Sequence, residues 1–344
     1  MSISGKDPLI MKTYALTDSP VEICGLSVID PVQQHYWRLP DEESALISDF
    51  IRDRSKTAGG GRVRFCTNAR RLHLKMALHT LSPDPCMAVC AASGADVFAG
   101  VGLESRFLGL INPWNYENKT PELTLHLTGE MQQITINLPR NEQIAGLWIT
   151  VEDEADLLPP LSYRRPGKLC FYGSSITEGG CASRPGNAYT AAAARWLDMD
   201  YMNLGFSGAA RGEEAMADVI CRRDFAALIM DYDHNAPDAD HLQNTHERFF
   251  KKIRAVHPSL PVIFMSKPDF DSNPEDGKKR KAVILRTYQN AISNGDQNVY
   301  FLDGEFFFGA VGREMCTVDG CHPNDLGFYR MAEAVYGLLK RILK

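Results

Sequence analysis

Two patterns of hydrophobic and polar positions divide the chain near residue 160. From residue 21 to residue 151, apolar and polar residues alternate in short runs that Gly, Pro, Asn and Asp interrupt. Alternation with a period of two is typical of antiparallel strands that bury one face. This part is therefore predicted to form a jelly-roll-like β-sandwich. The clearest runs are residues 72–78, 123–127, 133–138 and 146–151.

Two segments of this first part follow other patterns. Residues 1 to about 20 are polar, and we expect them to be loosely held. Residues 41–54 carry acidic residues followed by apolar ones, which predicts one short helix.

The second pattern begins after the proline-rich segment 159–167, which predicts a linker. Short, almost continuously apolar runs alternate there with longer helical stretches. Five such units predict a parallel sheet with helices on both faces. The expected fold is α/β: a β-sandwich domain at residues 1–160, then a three-layer α/β/α domain with a five-stranded parallel sheet at residues 161–344. The predicted strands are residues 169–172, 201–204, 226–230, 262–265 and 299–302, and the helices lie near residues 188–197, 213–222, 241–257, 278–294 and 326–343.

Composition narrows the class of protein. The 344 residues are 44% hydrophobic and 23% charged, with a net charge of -6, so neither nucleic acid nor an anionic membrane is expected as a partner. The first residues lack the apolar core of a signal peptide. Nine scattered cysteines without a Cys-x-x-Cys pair favour free thiols and a cytoplasmic location.

One stretch has the form of a nucleophile loop. The apolar run at residues 169–172 leads into Gly173-Ser174-Ser175-Ile176-Thr177, which predicts a buried strand ending in a tight turn toward a helix. Ser175 would then expose its hydroxyl at the end of a strand, with its backbone N–H near a helix N-terminus. Taken alone, the same residues also fit an ordinary turn.

A second stretch near the C-terminus offers a base for that serine. Asp319 and His322 lie three residues apart in a turn-rich segment, so one loop could present both. A serine hydroxyl needs a base to take its proton, and a carboxylate on the other imidazole nitrogen orients that base. The alternative is a surface Asp-Gly turn followed by a helix N-cap.

Together these stretches resemble the SGNH (GDSL-type) hydrolase superfamily. That family carries a Gly-Asp-Ser block, oxyanion donors from a glycine and an asparagine, and an Asp-x-x-His-Pro block. The blocks occur here in the same order as Ser175, Gly208, Asn235, Asp319 and His322. The resemblance implies a triad of Ser175, His322 and Asp319, with an oxyanion hole formed by Ser175, Gly208 and Asn235.

The chain departs from the family pattern at two places. Ser174 replaces the aspartate of Gly-Asp-Ser, and Asp233 and His234 replace the glycines that usually precede the asparagine. The segment Gly94-Ala95-Asp96-Val97-Phe98 resembles the Gly-x-Asp-(Leu/Val)-Tyr signature of a subgroup with an N-terminal β domain, with Phe98 in place of tyrosine.

The resemblance implies a carboxylic ester hydrolase that needs no metal and no organic cofactor. Short acyl esters are the expected substrates, above all O-acetyl esters on carbohydrates, and the expected partner is a small-molecule or oligosaccharide ester. A lipid-directed esterase or thioesterase and an inactive saccharide-binding protein are the alternatives. The sequence leaves open whether the chain forms a homo-oligomer and whether the N-terminal domain contributes to the active site.

Several further residues are candidates for the site. Arg184 and His234 are candidate substrate-binding residues, although Arg184 could instead lock its loop through a salt bridge, and His234 could be a plain loop residue. Cys181 and Cys321 lie close in sequence to the serine and the histidine, but neither has its own base in sequence. The histidines form no cluster with the spacing of a metal site. Three aromatic residues could stack on sugar rings or pack in the core: Trp37, Trp114 and Tyr116.

Overall fold

The computed structural model describes residues 10–343 of the chain. Antiparallel strands dominate its first half, with short helices between them. The strands are β1 (Met11–Ala15), β2 (Glu22–Cys24), β3 (Val28–Asp30), β4 (His35–Trp37), β5 (Arg62–Thr67), β6 (Arg71–Leu78), β7 (Ala95–Ala99), β8 (Arg106–Ile111), β9 (Glu122–His126), β10 (Gln132–Asn137), β11 (Ile144–Glu152) and β12 (Leu157–Leu158). The α-helices are α1 (Asp41–Ser44), α2 (Asp49–Ser55) and α3 (Val89–Ser93).

These strands form two main sheets around one core, as the alternating pattern predicts. One sheet has the order β1-β11-β6-β9; the other has the order β12-β5-β10-β7-β8, with β2 also paired to β5. Phe65, Leu74 and Ile136 belong to the shared hydrophobic core. Strand β6 alternates between buried and more exposed residues, which is the signature of a half-buried strand. The predicted N-terminal β-sandwich is confirmed.

Strand β5 departs from that alternation because the second half of the chain covers its outer face. All six of its residues are buried. Arg62 forms an ion pair with Asp200, and the guanidinium of Arg64 lies 3.7 Å from the ring centroid of Tyr163.

Two predictions for the first part are wrong. Residues 41–54 form the two helices α1 and α2 rather than one, because Ser48 breaks the segment and caps α2 by accepting a hydrogen bond from the backbone N–H of Ile51. The polar N-terminal region also contains a strand, since β1 pairs with β11 from Met11 to Ala15. Residues 1–9 lie outside the described residues.

The second half is the expected α/β domain. Five parallel strands form one sheet in the order β14-β13-β15-β16-β17. Two separate hydrophobic clusters cover its two faces. The strands are β13 (Lys168–Gly173), β14 (Asp200–Gly205), β15 (Ala227–Asp231), β16 (Val262–Met265) and β17 (Val299–Leu302). The α-helices are α4 (Ser175–Glu178), α5 (Tyr189–Leu197), α6 (Glu214–Cys221), α7 (Ala239–Val256), α8 (Pro274–Ser293) and α9 (Asp325–Ile342).

The strand order creates a crevice at the carboxyl end of β13. The chain moves from β13 to β14 on one side and later continues with β15 on the other side, so β13 is the switch point of the sheet. Ligands of open α/β sheets bind outside the carboxyl ends of strands at such a point. The predicted serine loop follows β13 directly.

The predicted domain boundary between residues 160 and 161 falls between β12 and β13. Within residues 10–343, no helix combines the length and the apolar character needed to cross a membrane.

Candidate active site

Ser175 is the first residue of α4 and follows the switch-point strand β13. Ser174 caps this helix, because its side-chain oxygen accepts a hydrogen bond of 3.1 Å from the backbone N–H of Ile176. A Cβ at Gly173 would lie 2.1 Å from Thr177 Oγ1 and 2.4 Å from the carbonyl oxygen of Asp231, so only glycine fits there. Ser175 is thus held at the start of α4, where the carboxyl ends of β13 and β15 lie side by side.

A line of hydrogen bonds connects Ser175 with His322 and Asp319. Ser175 Oγ lies 2.9 Å from His322 Nε2, although the two residues are 147 positions apart in sequence. His322 Nδ1 lies 2.8 Å from Asp319 Oδ2, and the backbone N–H of His322 donates to Asp319 Oδ1 over 2.7 Å. The loop before α9 therefore presents both groups, in the geometry of a nucleophile, a base and an orienting carboxylate.

The charges of this line are set by its neighbours. The pKa of His322 is raised to about 9, first by Cys321 and then by Asp319, against the opposing effect of burial. Burial alone would raise the pKa of Asp319, but its hydrogen bonds to the side chain and backbone of His322 lower it. Asp319 therefore stays ionised and favours the protonated imidazole.

Gly208 and Asn235 lie at the ends of the strands beside β13, and both border the same cavity as Ser175. Gly208 has a φ of 70°, and a Cβ there would meet no atom within 4 Å. Asn235 Nδ2 donates one hydrogen bond of 2.9 Å to the carbonyl oxygen of Phe206, which leaves its second hydrogen for another acceptor. Among the described residues, the backbone N–H groups of Ser175 and Gly208 have no acceptor. These are the donors that an oxyanion hole requires.

The cavity in front of Ser175 lies between the two halves of the molecule. It has a volume of about 550 Å³. The C-terminal domain supplies the floor with Ser175, Gly208, Asn235 and His322. The N-terminal part therefore supplies a wall of the site, which the sequence left open. Its lining residues are Phe50, Arg54, Asp84, Pro85, Cys86, Met87 and Arg140.

Buried ion pairs hold that wall against the serine helix. Glu178, on α4, lies 3.0 Å from Arg38 and 3.1 Å from Arg140, and its side chain and that of Arg38 are fully buried. Arg140 and Glu178 both hydrogen-bond Ser207, the residue before Gly208. One carboxylate thus joins the N-terminal part, the serine helix and the Gly208 loop. The sequence does not predict this role, although Glu178 directly follows the stretch from Gly173 to Thr177.

The two candidate substrate-binding residues lie in different places. His234 borders the cavity. Arg184 does not; it forms an ion pair of 3.4 Å with Asp96, the aspartate of the Gly-x-Asp segment, and its guanidinium lies 3.9 Å from the ring centroid of Phe107. Arg184 therefore joins the serine-side loop to the N-terminal sheet.

Three aromatic residues named as sugar-stacking candidates do not line this cavity: Trp37, Trp114 and Tyr116. Phe50 of α2, with 52% of its surface exposed, is the aromatic residue on the wall.

Two groups of side chains near His322 have the composition of metal ligands. His234, Asp269 and Cys321 form one, and Asp319, Cys321 and His322 form the other; in each, the ligand atoms lie within 4.8 Å of one another. The sequence does not predict the first group, because Asp269 follows a different strand and reaches the site only through the fold. The second group lies within one loop, but it contains a single histidine and so shows no spacing of histidines.

Two family models match the chain. Residues 167–340 match the GDSL-like lipase/acylhydrolase family, and residues 13–157 match the N-terminus of SGNH-hydrolase-type esterases. No curated protein matches the chain.

Solved structures show the same architecture over the whole chain. A chain from Bacteroides ovatus ATCC 8483 described as a GDSL-like lipase is 25% identical, with a TM-score of 0.84 over 97% of this chain and 98% of that one. The salicylyl-acyltransferase SsfX3 from a tetracycline biosynthetic pathway is 20% identical, with a TM-score of 0.77 over 97% and 99%. A family two carbohydrate esterase from Cellvibrio japonicus is 16% identical, with a TM-score of 0.60 over 97% and 98%, and shares the fold. The chain therefore belongs to the GDSL-like lipase/acylhydrolase family, a family of ester hydrolases, and carries the N-terminal domain of SGNH-type esterases.

Proposed function

We propose that the protein is a serine esterase that removes short acyl groups, in the first place acetyl groups, from carbohydrates. The observation that carries the proposal is the hydrogen-bonded line from Ser175 through His322 to Asp319, which opens into a cavity of about 550 Å³ beside the donors of Gly208 and Asn235.

In the proposed reaction, Ser175 Oγ attacks the ester carbonyl carbon while His322 Nε2 takes its proton. Asp319 holds the imidazole by its other nitrogen and stabilises the imidazolium. The N–H groups of Ser175 and Gly208 and the amide of Asn235 stabilise the oxyanion. His322 then gives its proton to the leaving alcohol. Water hydrolyses the acyl-enzyme by the same route in reverse, so the cycle needs no metal and no organic cofactor.

The cavity walls support a small acyl group on a polar carrier. Arg54, Asp84, Arg140 and Arg211 place charged groups among the apolar side chains of Phe50, Pro85 and Met87, and these charges would interrupt a groove for a long acyl chain. A long acyl chain gains about 0.8 kcal/mol per buried CH₂ only where an apolar wall buries it. Phe50 offers an exposed ring of the kind that stacks on a sugar. The carbohydrate esterase from Cellvibrio japonicus, which shares the fold, supports the same substrate class.

A fluorophosphonate probe tests the serine mechanism. We expect it to label the wild-type protein and the Ser207→Ala variant, whose serine borders the same cavity, but not Ser175→Ala. Ester hydrolysis should be nearly abolished in Ser175→Ala and in His322→Ala, because the members of a triad act as a unit. An active Ser175→Ala protein would exclude this mechanism, and a wild-type protein that neither reacts nor hydrolyses esters would favour a saccharide-binding role.

A series of p-nitrophenyl esters tests the acyl group. We expect kcat/KM to be higher for acetate than for octanoate and longer chains, and acetate to be released from acetylated xylo- or manno-oligosaccharides. A clear rise of kcat/KM with chain length would favour the lipid-directed esterase or thioesterase.

A further inference from the structure

We propose that Cys321 is a reactive thiolate through which low-molecular-weight disulfides reversibly switch off the esterase. The switch rests on the proposed function, whereas the reactivity of the thiolate does not. Cys321 immediately precedes His322, and its side chain belongs to a second line of groups that the reaction of Ser175 does not use.

This second line repeats the order of nucleophile, imidazole and carboxylate. Cys321 Sγ lies 3.1 Å from His234 Nε2, and His234 Nδ1 lies 3.3 Å from Asp269 Oδ1. The side chain of Asp269 is only 4% exposed. Neither its Oδ1 nor His234 Nδ1 has a hydrogen-bond partner among residues 10–343, so these two atoms interact as an ion pair. A thiol in hydrogen-bonding contact with an imidazole, which in turn lies beside a buried carboxylate, is the arrangement that activates cysteine nucleophiles.

The charges of the second line favour the thiolate. Burial opposes the protonated form of His234, but Asp269 and Cys321 outweigh it and raise its pKa to about 10. Burial likewise opposes ionisation of Cys321, yet its contacts with His234 and His322 lower its pKa. Asp319 is the acidic group on the same loop, and its Oδ1 accepts a hydrogen bond from the backbone N–H of Cys321. Two imidazoles thus surround one sulfur.

Cys181 is a thiol on the cavity wall that lacks this support. Among residues 10–343, its Sγ makes one hydrogen-bonding contact, with the carbonyl oxygen of Cys86 at 3.7 Å. Burial raises its pKa to about 12. Cys181 is therefore a matched internal reference for Cys321.

The reaction is a thiol–disulfide exchange. The Cys321 sulfur attacks one sulfur of the disulfide, a new S–S bond joins Cys321 to one half, and the other half leaves as a thiolate. The released half is reduced as Cys321 is oxidised, so no further oxidant is needed. The bound half would lie beside His322 and prevent its access to Ser175 and substrate. A small thiol reverses the exchange.

The first test compares two cysteines of one protein. The full chain is exposed briefly to iodoacetamide near neutral pH, and the alkylated fraction of each cysteine is read by mass spectrometry. We expect Cys321 to react at least about tenfold faster than Cys181, because the thiolate is the reacting form. The His234→Gln variant should lose most of that advantage. Equal rates for Cys321 and Cys181 in the wild-type protein would overturn the proposal.

The second test uses oxidised glutathione. We expect one glutathione on Cys321, loss of most ester hydrolysis in proportion to the modified fraction, and recovery with dithiothreitol. The activity of each variant after treatment is compared with the activity of the same variant before treatment. Oxidised glutathione should not inhibit Cys321→Ala, whereas it should still inhibit Cys181→Ala. An adduct on Cys321 without loss of hydrolysis would overturn the switch. A protein that hydrolyses no ester but reacts rapidly at Cys321 would instead contradict the proposed function and leave the thiolate assignment standing.

Discussion

Asn235 and Gly208 offer different kinds of hydrogen-bond donor beside Ser175. Asn235 has a fixed amide, because one hydrogen of Nδ2 donates to the carbonyl oxygen of Phe206. Gly208 offers a backbone N–H instead, in a left-handed conformation with open space beside its Cα. The two donors therefore respond differently to substitution.

We expect Asn235→Ala to lower kcat by about 10²–10³, with a smaller change in KM, because the amide bonds the oxyanion more strongly than the substrate carbonyl. Gly208→Ala keeps the N–H and should mainly cost stability, about 1–2 kcal/mol for the left-handed backbone. Steady-state kinetics and urea unfolding of both variants check this. An Asn235→Ala enzyme with wild-type kcat would remove Asn235 from the oxyanion hole.

The pH dependence of the reaction reports on His322. Its pKa is raised to about 9, so the imidazole is protonated and unable to act as a base at lower pH. We expect kcat/KM for a neutral ester to rise with pH and level off near pH 9. Because Cys321 is the first cause of the shift, Cys321→Ala should move this rise to lower pH, whereas Cys181→Ala should not. Identical profiles for the three proteins would contradict the coupling of Cys321 to His322.

At the scale of elements, helix α4 depends on its cap. The helix has four residues, and Ser174 satisfies one of its free N–H groups through its hydroxyl. The serine that replaces the aspartate of the family pattern therefore keeps a capping side chain in that place.

Ser174→Ala should cost about 1 kcal/mol of unfolding free energy and also lower kcat, because α4 begins with Ser175. Asn273→Ala is the matched control, since Asn273 caps α8 with its side chain and does not line the cavity. It should lose similar stability and keep its kcat. A normal kcat in Ser174→Ala would show that the cap does not position the serine.

Helix α7 contains a buried histidine that should make the fold acid-sensitive. His246 is 2% exposed and lies 3.0 Å from Thr287 Oγ1, and burial lowers its pKa to about 3. The unfolded chain takes up the proton near the ordinary value of 6.5, so stability is lost as the pH falls below that value.

We expect His246→Gln to remove this sensitivity. Between pH 7 and pH 5, the wild-type protein should lose about 2 kcal/mol more unfolding free energy than the variant, since each pH unit below the unfolded pKa costs about 1.4 kcal/mol. Urea unfolding of both proteins at the two pH values measures the difference. Equal losses of unfolding free energy in the two proteins would mean that His246 stays neutral in the unfolded chain or takes up a proton in the folded one.

At the scale of the whole molecule, the two halves share buried charges. Glu178 lies between Arg38 and Arg140 at the boundary between the β-sandwich and the serine helix. Burial lowers the pKa of Arg38 to about 10 and opposes its charge, while Glu178 supports it. Removing Glu178 would leave a buried cation without its partner.

Glu178→Gln should therefore cost about 3–5 kcal/mol of unfolding free energy. It should also lower kcat, because Ser207 loses a charged acceptor beside Gly208. Glu43→Gln is the control: Glu43 joins the same halves through Arg222 and Arg223 near the surface, where an ion pair contributes at most about 1 kcal/mol. Equal losses for the two variants would contradict a special role of the buried cluster.

The sequence by itself determined the elements and the chemistry that depends on near neighbours. Apolar runs and helical periods are local, so they predict the five parallel strands and the helices that follow them. The Asp319–His322 contact is local as well, because only two residues of one loop separate them. The segment 41–54 was interpreted wrongly because its break depends on one capping side chain, Ser48.

Only the tertiary structure decided which distant groups meet. Sheet order and loop paths bring Ser175 to His322 and place Phe50 and Arg140 on the wall of the same cavity. They also bring Arg184 to Asp96 and Asp269 to His234. No periodicity encodes these contacts, because each depends on how separate elements pack against one another. Neighbouring groups then set the charges. Burial opposes ionisation of both Cys181 and Cys321, but only Cys321 has imidazole neighbours that lower its pKa.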